Sequence, residues 1–178
     1  LPGHADLIRA LPSFGFTDAW SAETSGTDAF TPLALASAWE PTLRLGTAIV
    51  PVFTRGPALI AMSAATMAAA APGRFVLGLG ASSPVIVGNW NGIAFDEPYK
   101  RSRDVLRVVK AALAGERVDG TFDSFTIRRF KPEQAPAVPP PVLLPWLLPK
   151  TRGRPGRRAH GGVRQCRRRT GVAPSCDG

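Results

Sequence analysis

Cysteine is nearly absent: Cys166 and Cys176 are the only two, and both fall in the last 13 residues. Neither a disulfide framework nor a cysteine-rich metal centre therefore supports the fold. Histidine is as scarce, with only His4 and His160. Without an HExxH, a CxxC or grouped His and Asp, neither a zinc centre nor another metal site is expected. No apolar run reaches the roughly 18 residues that span a bilayer, because Pro, Arg and Gly interrupt each candidate. The opening Leu-Pro-Gly-His-Ala-Asp has no initiator Met, basic n-region or apolar h-region. It is no signal peptide, and it reads as a chain entered partway through. A cytoplasmic protein with no membrane partner is the resulting expectation.

What is abundant is positive charge. The 178 residues carry a formal +9 with a pI near 11.0, which on its face suggests a nucleic-acid partner. The charge is not evenly spread. Residues 1–140 hold 13 basic and 12 acidic side chains, whereas residues 141–178 hold 9 and 1. The bulk of the chain is near neutral. Its 44% hydrophobic and 20% charged composition is that of a globular domain.

Short β-rich runs alternate with helical ones. Ala5–Leu11 reads as a helix broken at Pro12, Phe16–Glu23 as a strand, and Asp28–Trp39 as a helix with an acidic cap, stopped by Pro41. Arg44–Val52 (RLGTAIVPV) is a β-branched run of the kind buried on both faces of a parallel sheet. Gly56-Pro57 opens an Ala-rich helix over Ala58–Ala71, and Arg74–Gly80 is the next strand. A loop over Ala81–Phe95 follows, with a turn signal at Asn91-Gly92. Asp96-Glu97-Pro98 starts a helix reaching about Ala114, with Gly115 beyond its end. On that helix, Arg101, Arg103, Arg107 and Lys110 read as a solvated face. Arg117–Phe130 alternates as a hairpin, with Asp119-Gly120 as its turn. After the proline connector Pro136–Pro141, Val142–Leu148 reads as one more strand. Strands alternating with helices across short linkers are the signature of βαβ units and a parallel sheet. The fold class is α/β.

A doubly wound sheet and a (β/α)₈ barrel both fit that alternation. Gly78-Leu79-Gly80-Ala81-Ser82-Ser83 is a poor dinucleotide fingerprint, lacking a third glycine and an immediate helix. Gly78 and Gly80 can equally relieve crowding at a strand end. Four runs decide between the architectures: GFTDAWSAET (Gly15–Thr24), LRLGTAIVPVFTRGPALIAMSAATM (Leu43–Met67), PGRFVLGLGASS (Pro72–Ser83) and YKRSRDVLRVVKAALAGE (Tyr99–Glu116). In this order they closely resemble the luciferase-like monooxygenases. The resemblance is nearest to the actinobacterial branch using coenzyme F420, a deazaflavin, instead of FMN. It covers about residues 4 to 131, and its most specific part pairs "LGTAIVP…TR.P" with "PGRFVLGLG".

The resemblance implies a TIM barrel, here incomplete, with parallel strands and a site at their carboxyl ends. It implies that the acid at Glu23 lies by the cofactor ring, and that Ala48-Ile49 forms a cis peptide bulge beneath the ring's face. Gly80, Ala81 and Ser82 would let the backbone approach the ring, and Thr47 completes the set of cofactor-facing candidates. Read without the family, Glu23 is equally a solvated loop acid, Thr47 and Ile49 ordinary strand residues, and Trp20 and Trp39 core or helix-packing residues. Sugar-phosphate dehydrogenases of the family carry a histidine where Thr24 stands, so that reaction is not assigned. No residue reads as a general acid or base, and the catalytic set is left open.

Residues 1–140 are thus expected to form a partial luciferase-like barrel, about strands 2–4 with their helices and a hairpin insertion. Its implied partners are F420 (alternatively FMN) and a small organic substrate, with a homodimer to cover open strand edges. Residues 141–178 read as a disordered tail rich in Arg, Gly and Pro, where family-like sequence stops. A shifted reading frame in GC-rich coding DNA accounts for the tail more simply than a nucleic-acid-binding arm, since it has no stacking aromatics after Trp146 and no RGG repeat. The expected function is that of a fragment of an F420- or flavin-dependent oxidoreductase or monooxygenase. The alternatives are a non-catalytic, basic-tailed nucleic-acid-binding protein and an inactive frame-shift product.

Overall fold

The computed structural model describes residues 2–145. Helix α1 (Ala5–Ala10) is followed by strand β1 (Asp18–Ser21) and α2 (Thr31–Trp39). Asp28 opens α2 by accepting the backbone N–H groups of Phe30 and Thr31 at 2.8 and 2.9 Å, the arrangement that relieves unpaired donors at a helix start. Strands β2 (Arg44–Thr47) and β3 (Val50–Pro51) come next, then α3 (Pro57–Ala70) and β4 (Phe75–Gly80). Helix α4 (Pro98–Leu113), the antiparallel pair β5 (Val118–Thr121) and β6 (Thr126–Phe130), and β7 (Val142–Leu143) complete the order.

The main sheet is parallel throughout. β1 pairs with β2, β4 takes β2 and then β3 along one edge, and β7 pairs with β4 on the other. Among the described residues this sheet is an arc that does not close, an α/β architecture of incomplete TIM-barrel type. Its strands and helices share one core, in which Leu45, Leu77 and Leu79 meet Ile60, Val105 and Val109, all fully buried. β4 is buried along its whole length, as the central strand of a helix-covered parallel sheet must be.

Several readings change. The single strand expected over Arg44–Val52 is two, because the peptide between Ala48 and Ile49 is cis and the run bulges there. Three residues, Thr47 to Ile49, stand opposite two, Leu77 and Gly78, so the register slips by one. The loop expected over Ala81–Phe95 contains a π-helix over Val85–Trp90. Asp119-Gly120 lies within β5, and the hairpin turns at Phe122–Phe125, where the Phe122 N–H donates to the Phe125 carbonyl at 2.8 Å. The turn is drawn there by Asp104, whose buried carboxylate accepts the Ser124 N–H at 3.1 Å and its hydroxyl at 2.9 Å.

The basic face of α4 is another. Arg103 binds Asp104 and Asp123 at 2.7 and 2.6 Å. The Arg101 guanidinium lies 5.0 and 5.8 Å from the rings of Phe53 and Phe125, and its Nε donates to the Val52 carbonyl at 3.0 Å. Only Arg107 and Lys110 of the four are exposed. Trp20, expected in the core, lays its ring over Gly46 and remains 45% exposed. The strand read over Val142–Leu148 is present as β7 at Val142–Leu143, paired with β4, so the sheet runs past the expected boundary at residue 140; residues 146–178, with the basic side chains of the tail and both cysteines, lie outside the described residues.

Candidate functional site

Parallel strands place their carboxyl ends side by side, and here β1, β2–β3 and β4 end together. Small residues predominate there, Ile49 being the exception. Ser21 and Ala22 close β1, Ala48 and Ile49 form the bulge between β2 and β3, and Gly80, Ala81 and Ser82 close β4. The Ala48 N–H donates to the Ser21 carbonyl at 2.6 Å, and the Glu23 N–H to the Ile49 carbonyl at 3.4 Å. These bonds tie the bulge to the loop after β1. Ala48 is exposed, while Ile49, Ala81 and Ser82 are half-buried. A side chain at Gly80 would meet Ile49 Cγ1 at 2.8 Å, so the missing Cβ lets Ile49 lie down across the end of β4. Ser82 turns the chain off the sheet at φ 68°, a left-handed conformation that non-glycine residues seldom adopt.

Thr47 is buried and turned inward. The broken strand cannot supply ladder bonds opposite Gly78, and the Thr47 hydroxyl replaces them. It accepts the Gly78 N–H at 2.8 Å and donates to the Gly78 carbonyl at 3.0 Å. A Cβ on Gly78 would lie 2.0 Å from the Thr47 carbonyl oxygen, which leaves no room for any other residue.

Glu23 sits in the loop after β1 with its side chain 18% exposed. Arg55, at the entrance to α3, grips it with a two-pronged contact: Nε lies 2.9 Å from Oε2, and the second guanidinium nitrogen lies 2.9 Å from the same oxygen. The Ala29 N–H also donates to Oε2 at 3.1 Å. Arg55 reaches Asp28 at 3.5 Å and lies over the Phe30 ring at 5.3 Å. Burial alone would raise the Asp28 pKa, but the Thr31 hydroxyl, the Thr31 and Phe30 amides and Arg55 together hold it below its usual value. The expected site residues thus fall into two groups. Ala48, Ile49, Gly80, Ala81 and Ser82 gather at the strand ends beside Glu23, whereas the Thr47 hydroxyl is committed to the sheet.

Arg55 was not among the expected residues, although the "TR.P" run contains it. Its partner lies 32 residues away, a pairing no local spacing reveals. The surface at the strand ends is largely apolar, and both nearby acids, Glu23 and Asp28, face Arg55. Among the described residues this surface contains no free acid or base to move a proton. Among the described residues no three His, Cys, Asp or Glu side chains gather as a metal would require, and no helix is long and apolar enough to cross a membrane.

A parallel α/β arc with its candidate site at the carboxyl ends of the strands is a segment of barrel type. Comparison with known proteins specifies the family: the luciferase-like monooxygenase model matches residues 1–162, and the chain belongs to that family. A Mycobacterium tuberculosis protein named as a coenzyme F420-dependent oxidoreductase is 38% identical over 113 residues, 64% of this chain and 33% of its own. The F420-dependent hydroxymycolic acid dehydrogenase of the same organism is 26% identical, over 89% of this chain and 48% of its own. Among solved structures, a monooxygenase of Streptomyces bottropensis superposes with a TM-score of 0.66 at 25% identity, covering 79% of this chain and 45% of that one. The chain spans a third to a half of the length of these relatives.

Proposed function

We propose that this chain supplies the ring-binding part of an F420-dependent oxidoreductase acting on a small organic substrate. The observation that carries the reading is the convergence of three parallel strand ends in small residues around the Ala48-Ile49 bulge. The group fits those residues: a flat, mostly uncharged ring needs an open, apolar shelf with little side-chain bulk. Ala48, Ile49 and Ala81 would hold the face of the ring, with Gly80 buried beneath Ile49 as its support, and the Ser82 backbone would turn the chain around its edge. Thr47 would act from beneath, by keeping the bulge and Gly78 in register. Glu23, fixed by Arg55, would border the ring.

When bound, such a cofactor accepts or donates a hydride, and the protein's part is orientation and the exclusion of water. Nothing in the site as described asks a side chain to transfer a proton. The relative named for F420 supports the deazaflavin over FMN. A cytoplasmic location and a homodimer belong to the same proposal, the second tested by light scattering of the purified chain.

Titration of the chain with F420 and, separately, with FMN, followed by cofactor fluorescence, tests the reading. Saturable binding of F420, tighter than that of FMN and weakened by Ala48→Trp, is expected. No binding of either at tens of micromolar would overturn it.

A further inference from the structure

We propose that Arg55 is a positioning residue, whose work is to fix the Glu23 carboxylate and through it the loop that borders the ring. The inference rests on the cofactor reading above. Glu23 is the junction of three elements. Its carboxylate accepts from Arg55 at the start of α3 and from the Ala29 amide before α2, while its own N–H donates to Ile49 in the bulge. Ser21 adds a second tie, its hydroxyl donating to the Ala29 carbonyl.

Arg55 is suited to this because a guanidinium is a planar fork matching a carboxylate edge, and it stays charged at any working pH. Its own orientation is set from two further sides: Asp28 at 3.5 Å, and the Phe30 ring beneath it. Arg55 is 19% exposed and Glu23 18%, so water only partly screens the pair. Without the arginine, a largely buried carboxylate would face Asp28 with no counter-charge between them. Repulsion would then move the Ala22–Asp28 loop away from the bulge. A lysine would restore the charge but not the fork, and so would recover only part of the geometry.

Two readouts decide the matter, and the first needs no cofactor. In the unliganded chain, Arg55→Met should speed hydrogen exchange of the Ala29 amide by about tenfold or more relative to wild type, because its acceptor is no longer held. Arg55→Lys should give an intermediate rate, and far-UV circular dichroism identifies any variant that fails to fold. Unchanged exchange at Ala29 in a folded Arg55→Met protein overturns the proposal, whatever the cofactor does. The second readout is a double-mutant cycle on F420 affinity with Arg55→Met and Glu23→Gln. Each single change should weaken binding about tenfold, and the pair together scarcely more than either alone. Fully additive losses would mean that Arg55 does not act through Glu23. If wild type binds neither F420 nor FMN, the cofactor reading fails, and the Ala29 exchange rate still decides what Arg55 does.

Discussion

Replacing Thr47 with valine keeps the shape of the side chain and removes one oxygen. That oxygen partners two backbone groups at once, the Gly78 N–H at 2.8 Å and the Gly78 carbonyl at 3.0 Å, in a site only 1% exposed. The gap between β2 and β4 is closed to solvent at this residue. An unpaired buried donor or acceptor costs about 1–3 kcal/mol, so the loss of both is expected to be about 2–4 kcal/mol. Thr47→Ser is the control: it keeps the hydroxyl and removes one methyl, worth about 1 kcal/mol. The assay is urea unfolding followed by circular dichroism, with slopes compared so that midpoints translate into stability. Valine should be the more damaging substitution by about 1–3 kcal/mol. If serine proves as harmful as valine, the hydroxyl is not standing in for the missing ladder bonds, and the account of the bulge is wrong.

Three further outcomes follow from the same geometry. For Asp104, burial raises the pKa, yet hydrogen bonds from Arg103 and Ser124 outweigh it and hold the group below its ordinary 3.8. Its stabilisation is therefore complete above the unfolded pKa and lost as pH falls through the folded one. Unfolding midpoints should drop below about pH 4, and Asp104→Asn should flatten that drop while costing about 2 kcal/mol at neutral pH. Gly78→Ala should prevent folding or cost more than about 3 kcal/mol, since its Cβ meets a backbone oxygen. Gly80→Ala should cost less, about 1–3 kcal/mol, since its Cβ meets the Ile49 side chain rather than backbone; equal losses in a thermal melt would refute the distinction. Arg101→Met should lose about 1–2 kcal/mol with little dependence on salt, because its partners are two rings and a carbonyl rather than a carboxylate. A strong salt dependence of the wild-type minus variant difference would count against this.

Periodicity and punctuation made most of the elements legible. The helix over Pro57–Ala70 and the buried strand Phe75–Gly80 lie almost where composition places them, because Gly-Pro at one end and Pro-Gly at the other leave few alternatives. The break in RLGTAIVPV carries no such mark: a continuous β-branched run gives no composition signal for a bulge, and only the family resemblance located it. Asp119-Gly120 misled because it satisfies a general turn preference, while the real turn is chosen by a carboxylate 20 residues earlier. The solvated reading of Arg101 and Arg103 fails for a related reason. Helical spacing shows which side a residue faces but not that Phe125 and Asp123 arrive to cover it. In the site, the small residues were readable at the strand ends, whereas the grip of Arg55 on Glu23 exists only once β1 and α3 have been brought together.

The strands of the main sheet lie in space in the order in which they occur along the chain: β1, then β2 with β3, then β4, then β7. Among the described residues only the β5–β6 hairpin steps aside. Each new strand therefore docks beside the one before it, separated by a single helical excursion, or by the π-helix, α4 and the hairpin in the case of β7. A polypeptide leaving the ribosome never has to reserve a slot between strands already paired. Such a sheet can be laid down in step with synthesis, and the growing edge, not the finished one, is where a newly made chain is exposed to the wrong neighbour.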